Sequence, residues 1–383
     1  MSAPEIAIVG VGLHPFGRYG DKLCLQMGAE AAQAALADAG AQWSDVQVAA
    51  VGSHEVSNPD AIVSLLGLTG IPVRGVFNGC ATGGTSLQVA AQSIRLGEAD
   101  VAMAIGMDKH PRGAFAADPS VMGLPAWYGQ TGMFLTTHFF GMKINRYMRE
   151  HGISRETLAR VAAKNLHNGS ITPEAWRRKP LSVAEILDAA VVNYPLTQYM
   201  YCSPDEGAAA VVLCRADIAH RFTGTPIYLR AAELRSRTEG AFEVQSPSLP
   251  TTITPSPSVA ASAAAYEVAG IGPEDVDVAQ LQDTDAGSEI IHMAENGFCA
   301  DGEQEKWIAE GATEIGGRLP VNTDGGLIAN GEPIGASGLR QIRELVVQLR
   351  GQAGERQVAG DPRVGYAHLY GAPGASAVTI LSR

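Results

Sequence analysis

The sequence contains no basic run: 28 Lys and Arg stand against 40 Asp and Glu, a net charge of −12. Phosphate neutralisation needs clustered cations, so nucleic-acid binding is excluded as the main role. Cysteine is scarce, five residues in 383, irregularly spaced and without a CxxC pair. That leaves no disulfide framework and no zinc-type ligand spacing. No apolar run reaches membrane-span length, and Met1 leads into the apolar stretch Ile6–Val11 without the basic start of a secretory signal. The expected setting is a reducing cytoplasm, with neither nucleic acid nor membrane as partner. What is present is apolar bulk: 46% hydrophobic and 18% charged residues suit a large globular chain with ample core.

Short apolar runs alternate with helical spacing along the chain. Ile6–Val11, Val46–Val51, Val73–Phe77 and Val101–Ile105 read as buried strands, and Leu25–Ala39 and Thr85–Arg95 as helices. From Pro111 to Thr137 the period breaks into a long loop excursion, a length that is usually functional or disordered, and it reads as lying over a site. Two helices follow, Phe139–Glu150 and Glu156–Leu166, then a strand at Ala208–Val212. Pro247–Pro257 is rich in Pro, Ser and Thr and reads as a connection. The remainder repeats the logic: strands at Ile227–Ala232, Val278–Leu281, Arg363–His368 and Ala377–Leu381, helices at Ser258–Ala269, Ser288–Glu295 and Leu339–Leu349. The fold class is layered α/β, built of two similar halves. The halves are set at 1–230, including a loop region of about 111–205, and 231–383.

Two segments carry the chemistry. In NGCATGGT, Cys80 falls between a strand and a helix. A thiol at that turn feels the positive end of the helix dipole, which favours a nucleophilic thiolate. The other reading of Cys80 is a small apolar residue in a tight turn. Cys24, Cys202, Cys214 and Cys299 read as structural. In NTDGGLIANGEPIGASG, residues 322–338, glycines allow close backbone approach to a ligand, and Glu332 stands in the turn between Gly331 and Pro333. Glu332 reads as a proton carrier or as a carboxylate stabilised by the following helix.

Three stretches together resemble the thiolase family, in particular its sterol-carrier-protein-X type. They are Asn78–Lys109, then Gly141–Gly169 with CSPDEGAAAVVL at Cys202–Leu213, then Gly297–Gln341. The resemblance implies a five-layer αβαβα fold, CoA thioesters as substrates with no separately bound cofactor or metal, and a homodimer. It also implies that Glu332 stands where a Gly-His-Pro histidine activates the nucleophile. The family's His-Asp-Cys-Phe tetrad reads Gln282-Asp283-Thr284-Asp285 here, and its other acid/base cysteine loop reads Leu369-Tyr370-Gly371-Ala372. Cys80 is kept and its usual partners are replaced.

Thiolysis needs a thiolate, an oxyanion hole and a second base. Thr284 is no base, and an anionic Glu332 beside Cys80 would raise its pKa. Retro-aldol cleavage of a bulky β-hydroxyacyl-CoA suits the set better, with Glu332, Tyr370, Asp283 and Asp285 as proton carriers. Gln282 and backbone N–H groups near Cys80 and Gly371 are the oxyanion donors. Related lyases that cleave sterol side chains work with a separate OB-fold protein bearing a zinc ribbon, so such a partner is expected. Asp283 and Asp285 also fit as caps of the Ser288 helix, Gln282 and Tyr370 as ordinary core residues. His110, His138 and His292 read as structural. Trp127, Tyr128, Met133 and Phe134, with Phe115, are the expected lining for an apolar acyl group. Two other readings stand: a divergent thiolase or acyltransferase using Cys80, and a non-catalytic acyl-CoA-binding scaffold.

Overall fold

The computed structural model describes residues 4–115, 118–122, 125–132, 135–241, 254–372 and 374–383. Nine strands form its sheet: β1 (Ile6–Gly17), β2 (Val48–Gly52), β3 (Val73–Val76), β4 (Val101–Lys109), β5 (Glu206–Arg215), β6 (Ile227–Ser236), β7 (Val278–Leu281), β8 (Val364–Gly371) and β9 (Ala375–Ser382). Their order is β3-β2-β4-β5-β1-β6-β9-β8-β7. Strands from the first part of the chain therefore occupy one side and those from the second part the other. The two sets meet where β1 pairs with β6, Ala7 opposite Tyr228 and Ile8 opposite Ile227.

The described residues form seven long helices, α1 (Cys24–Ala39), α2 (Thr82–Arg95), α3 (Thr136–His151), α4 (Arg155–Ser170), α5 (Pro257–Ala269), α6 (Ala286–Glu295) and α7 (Ser337–Leu349), of which α3 and α4 pack on α6 and the other five on the strands. α1 packs on β1, β4 and β5, whereas α5 packs on β6 and β9 and α6 on β7. α2 and α7 touch strands of both sets and each other. Taken on either side of the β1–β6 seam, the two strand sets alternate with these helices as helix, strands, helix, strands, helix, the five-layer arrangement. A central helix must be buried on every side, and the sequence meets this in two ways. α2 opens with the small residues Thr82, Gly83, Gly84, Thr85 and Ser86, all buried. At Gly83 a Cβ would lie 2.8 Å from the Gly338 Cα, so the two central helices touch backbone to backbone there. α7 instead buries polar side chains along with Leu339, Ile342 and Leu345, and pairs them. Arg340 pairs with Asp324, and Glu344 with Arg356 at 3.0 Å.

The expected strands and helices all lie on observed elements, with boundaries shifted by a few residues. Several short pieces escaped the periodicity, among them a hairpin of Val191–Asn193 and Leu196–Thr197 and short helices at Val63–Leu66, Val183–Leu187, Gln304–Ala309 and Gly326–Asn330. Segments this short carry too few residues to display a period. The excursion after Pro111 contains single turns at Pro119–Met122 and Trp127–Gln130. The connection expected at Pro247–Pro257 falls mostly outside the described residues. Among the described residues no helix is long and apolar enough to cross a membrane.

Candidate active site

Cys80 follows β3 and precedes α2, with Ala81 as the helix cap residue. The turn is compact: Thr82 N–H donates to the Gly79 carbonyl at 3.0 Å, and Gly79 takes a φ of 55°. Gly371 is pressed against it, since a Cβ there would meet Asn78 O at 2.3 Å and Cys80 N at 3.0 Å. The Gly371–Ala372 backbone thus lies directly on the cysteine turn.

Glu332 arrives from the glycine stretch. Gly331 precedes it with a φ of 90°, a left-handed conformation that favours glycine, and a Cβ there would sit 1.9 Å from Asp205 Oδ2. Glu332 N–H donates to the Ser203 carbonyl at 2.9 Å, which ties the stretch to the segment after Tyr201. The carboxyl is fully buried and has three neighbours. Gln282 Nε2 donates to Oε1 at 2.8 Å, Cys202 Sγ donates to Oε2 at 3.3 Å, and the Cys80 thiol faces the same group. Burial pushes the Glu332 carboxyl up from its ordinary value, against the lowering effect of the two thiols and the Gln282 amide.

The thiol does not behave as its place before a helix suggests. Burial first, and Glu332 second, push Cys80 well above the usual thiol range. A carboxyl beside a desolvated thiol outweighs the partial charge of a helix end. Cys202, read from the sequence as structural, belongs to this group and is pushed up for the same two reasons. No spacing motif marked it, and the bond to Glu332 spans 130 positions in sequence. His110 is likewise part of the surroundings: its Nε2 accepts from Ile334 N–H at 3.2 Å. Asp205 was also missed. It is buried near Arg18 and Arg177, neither carboxylate oxygen has a hydrogen-bond partner, and burial holds it well above the carboxylate range.

Gln282 differs from the expected oxyanion donor. Both its amide hydrogens are committed, one to Glu332 and one to Thr284 Oγ1 at 3.2 Å, so it orients Glu332 instead. Asp283 accepts from Leu327 N–H at 2.7 Å, Ile328 N–H at 3.1 Å and Asn165 Nδ2 at 2.9 Å. Its lone pairs are used to cap the one-turn helix ahead of Glu332, not the Ser288 helix. Asp285 caps that one, accepting from Gly287 N–H at 2.8 Å and Ser288 N–H at 3.2 Å, and burial raises it to about 6.

Tyr370 is buried with no hydrogen bond to its hydroxyl. Strand alternation turns it away from Leu369, towards Phe140 and His292, with Lys143 Nζ 4.9 Å from its ring. The structure thus brings Cys80, Gln282, Glu332 and Gly371 together, and packs the Tyr370 ring beside Phe140 and His292. Trp127 is 49% exposed and its ring lies tilted against that of Tyr128, centroids 4.3 Å apart, while Phe115 packs on His110 at 5.1 Å. Met133 and Phe134 lie outside the described residues.

His292 donates from Nδ1 to the Gln282 carbonyl at 2.8 Å, and its ring lies tilted against that of His368, centroids 4.4 Å apart. Burial, then Lys143, lowers His292 to about 3, and burial holds His368 well below its ordinary value. Both stay neutral in the fold but take a proton below about pH 6.5 when unfolded. The stability they contribute is complete above about 6.5 and falls with acid, by about 1.4 kcal/mol per pH unit for each. The variant His292→Gln should therefore melt with a visibly shallower pH dependence between pH 6.5 and 4.5 (our chosen window). Equal slopes in calorimetry would refute this account.

Comparison with known proteins follows the same lines. Residues 6–179 match the family described as thiolase, N-terminal domain, and residues 242–383 the one described as thiolase C-terminal domain-like. The chain is 34% identical to an acetyl-CoA acetyltransferase of Methanothermobacter thermautotrophicus, covering 99% of this chain and 100% of that protein. It is 31% identical to sterol carrier protein 2 of Oryctolagus cuniculus, over 98% of this chain and 72% of the relative. The solved structure described as Ltp2-ChsH2(DUF35) aldolase superposes with a TM-score of 0.87 at 26% identity, covering 100% of this chain and 98% of that one. A layered fold with the cysteine turn at its centre, matched in both halves and along its full length, places the chain in the thiolase family.

Proposed function

We propose that this thiolase-family enzyme cleaves a carbon–carbon bond in a β-hydroxyacyl-CoA by retro-aldol chemistry. The observation that carries the reading is the Glu332 environment: a buried carboxyl, oriented by Gln282, occupies the activating-base position and holds the Cys80 thiol protonated. Glu332 accepts the β-hydroxyl proton, the carbon–carbon bond breaks, and its electron pair passes into the thioester enolate. Backbone N–H groups beside Cys80 and Gly371 stabilise that oxygen, since Gln282 has no amide hydrogen to spare. Similarity to a solved aldolase supports the reaction class. Phe115, Trp127 and Tyr128 favour a bulky apolar acyl part, a sterol side chain among them.

One observation favours the thiolase or acyltransferase alternative: a base and a second thiol both adjoin Cys80 in the set. Product mass spectrometry on β-hydroxyacyl-CoA and β-ketoacyl-CoA panels, with and without free CoA, separates the two. Cleavage without CoA, with Cys80→Ala losing less than about tenfold, is the expected outcome. Loss of about a thousandfold with a trapped acyl-Cys80 would instead establish covalent catalysis.

A homodimer is proposed through β3, an edge strand flanked by exposed Leu65, Leu68 and Phe77. A separate OB-fold protein with a zinc ribbon is the second proposed partner, supported by the two-component name of the aldolase neighbour. The proposed location is the cytoplasm, in keeping with five free cysteines.

A further inference from the structure

Both places where the thiolase resemblance puts an acid/base cysteine are filled otherwise, by Thr284 and by Tyr370-Gly371. Yet the folded chain brings a second thiol to the site by another route. Cys202 Sγ lies 3.3 Å from Glu332 Oε2. Its backbone is fixed on both sides. Cys202 N–H donates to the Thr284 carbonyl at 3.0 Å, and Glu332 N–H to the Ser203 carbonyl at 2.9 Å. Arg177 Nη1 donates to the Tyr201 carbonyl at 2.9 Å, and Nη2 to Ser203 Oγ. Arg177 therefore fixes the residues on either side of Cys202. Accessibility adds the direction. Glu332 and Gln282 have no exposed surface, whereas Cys80 and Cys202 each retain some. A proton travelling between Glu332 and a substrate carbon can therefore pass over Cys202 Sγ, 3.3 Å from Oε2.

We infer that Cys202 is a catalytic residue: it delivers the proton to the substrate α-carbon and recovers it from Glu332. This rests on the acyl-CoA site assigned above and is common to its lyase and thiolase forms. In the lyase cycle the protons balance. The β-hydroxyl proton passes to the Glu332 carboxylate as the carbon–carbon bond breaks. The Cys202 S–H bond then breaks as the enolate carbon takes its proton. Glu332 returns the first proton to the Cys202 thiolate, and both groups end as they began, without external oxidant, reductant or acid.

The test is α-proton exchange of acetyl-, propionyl- and butyryl-CoA in D2O, followed by mass spectrometry. It needs neither a β-hydroxyl group nor free CoA. Wild-type enzyme should incorporate deuterium into at least one of them. Cys202→Ser and Cys202→Ala, checked for unchanged melting, should exchange about a hundredfold more slowly, within the range general acid–base groups supply. The serine variant keeps the size of the side chain, so its loss reflects proton transfer and not packing. As a measurement on native protein, methanethiosulfonate labelling mapped to Cys202 should block exchange, and dithiothreitol should restore it. Exchange within threefold of wild type in a folded Cys202 variant or in labelled enzyme overturns the inference, as does no exchange by wild type. Lost exchange alongside CoA-dependent cleavage would leave Cys202 in place and remove the lyase reading. Undiminished exchange in Cys202→Ser alongside CoA-independent cleavage would do the reverse.

Discussion

Glu332→Gln should lose carbon–carbon bond cleavage by about 10²–10⁴-fold, with no change in melting beyond a degree or so, roughly what a single general acid–base group supplies. The amide has the shape of the carboxyl and can still bond to Gln282 and Cys202, but it cannot take a proton. The same substitution removes the second-largest cause that holds the Cys80 thiol high, after burial itself. Alkylation of Cys80 by iodoacetamide should therefore speed up while turnover collapses. Opposite movement of these two readouts distinguishes a proton carrier from a carboxylate that merely caps a helix. Turnover within threefold of wild type would end the assignment of Glu332 as base.

Lys164→Met should be among the most destabilising single changes, by about 3–5 kcal/mol, because it strands a buried charge. Lys164 Nζ lies 2.5 Å from Glu289 Oε1 and 3.0 Å from the Val321 carbonyl, and both side chains are buried. Glu289 also accepts from Asn165 Nδ2 at 2.9 Å and from Asn322 Nδ2 at 2.7 Å. Asn322 in turn accepts Leu281 N–H at 3.0 Å, and Asn165 reaches Asp283. One ion pair thus fastens α4 and α6 to the end of β7 and the start of the glycine stretch that leads to Glu332. Adding Glu289→Gln to Lys164→Met should recover much of the loss, since no charge is then left unpaired. Denaturant unfolding of the single and double variants measures this. Additive losses would show that the pair is not coupled.

The layered architecture was legible because its signals are local. A buried strand such as Ile6–Val11 or Val101–Ile105 announces itself by consecutive apolar residues, and α7 by its helical spacing of Leu, Ile and Val. The turn at Cys80 and the tight turn at Glu332 were legible for the same reason, since glycines mark both within a few positions. The partners of Glu332 were not. Cys202 heads a stretch that carries the family resemblance, but the pattern there is that of a strand entrance and assigns the thiol no role. The sequence points to Gln282 and Asp283 as site residues, yet which chemistry each performs depends on what lies opposite. One orients a carboxyl 50 positions away and the other caps a helix 44 positions away. The charge balance at Cys80 was also beyond local pattern, because a helix end and a buried carboxyl act on it with opposite signs and only distance and desolvation decide between them. From the sequence alone came the layers, the cysteine turn and the carboxyl in the glycine stretch. Tertiary packing alone decided that two thiols flank that carboxyl, because hydrogen bonding and desolvation are properties of the few ångströms around an atom and not of its place along the chain.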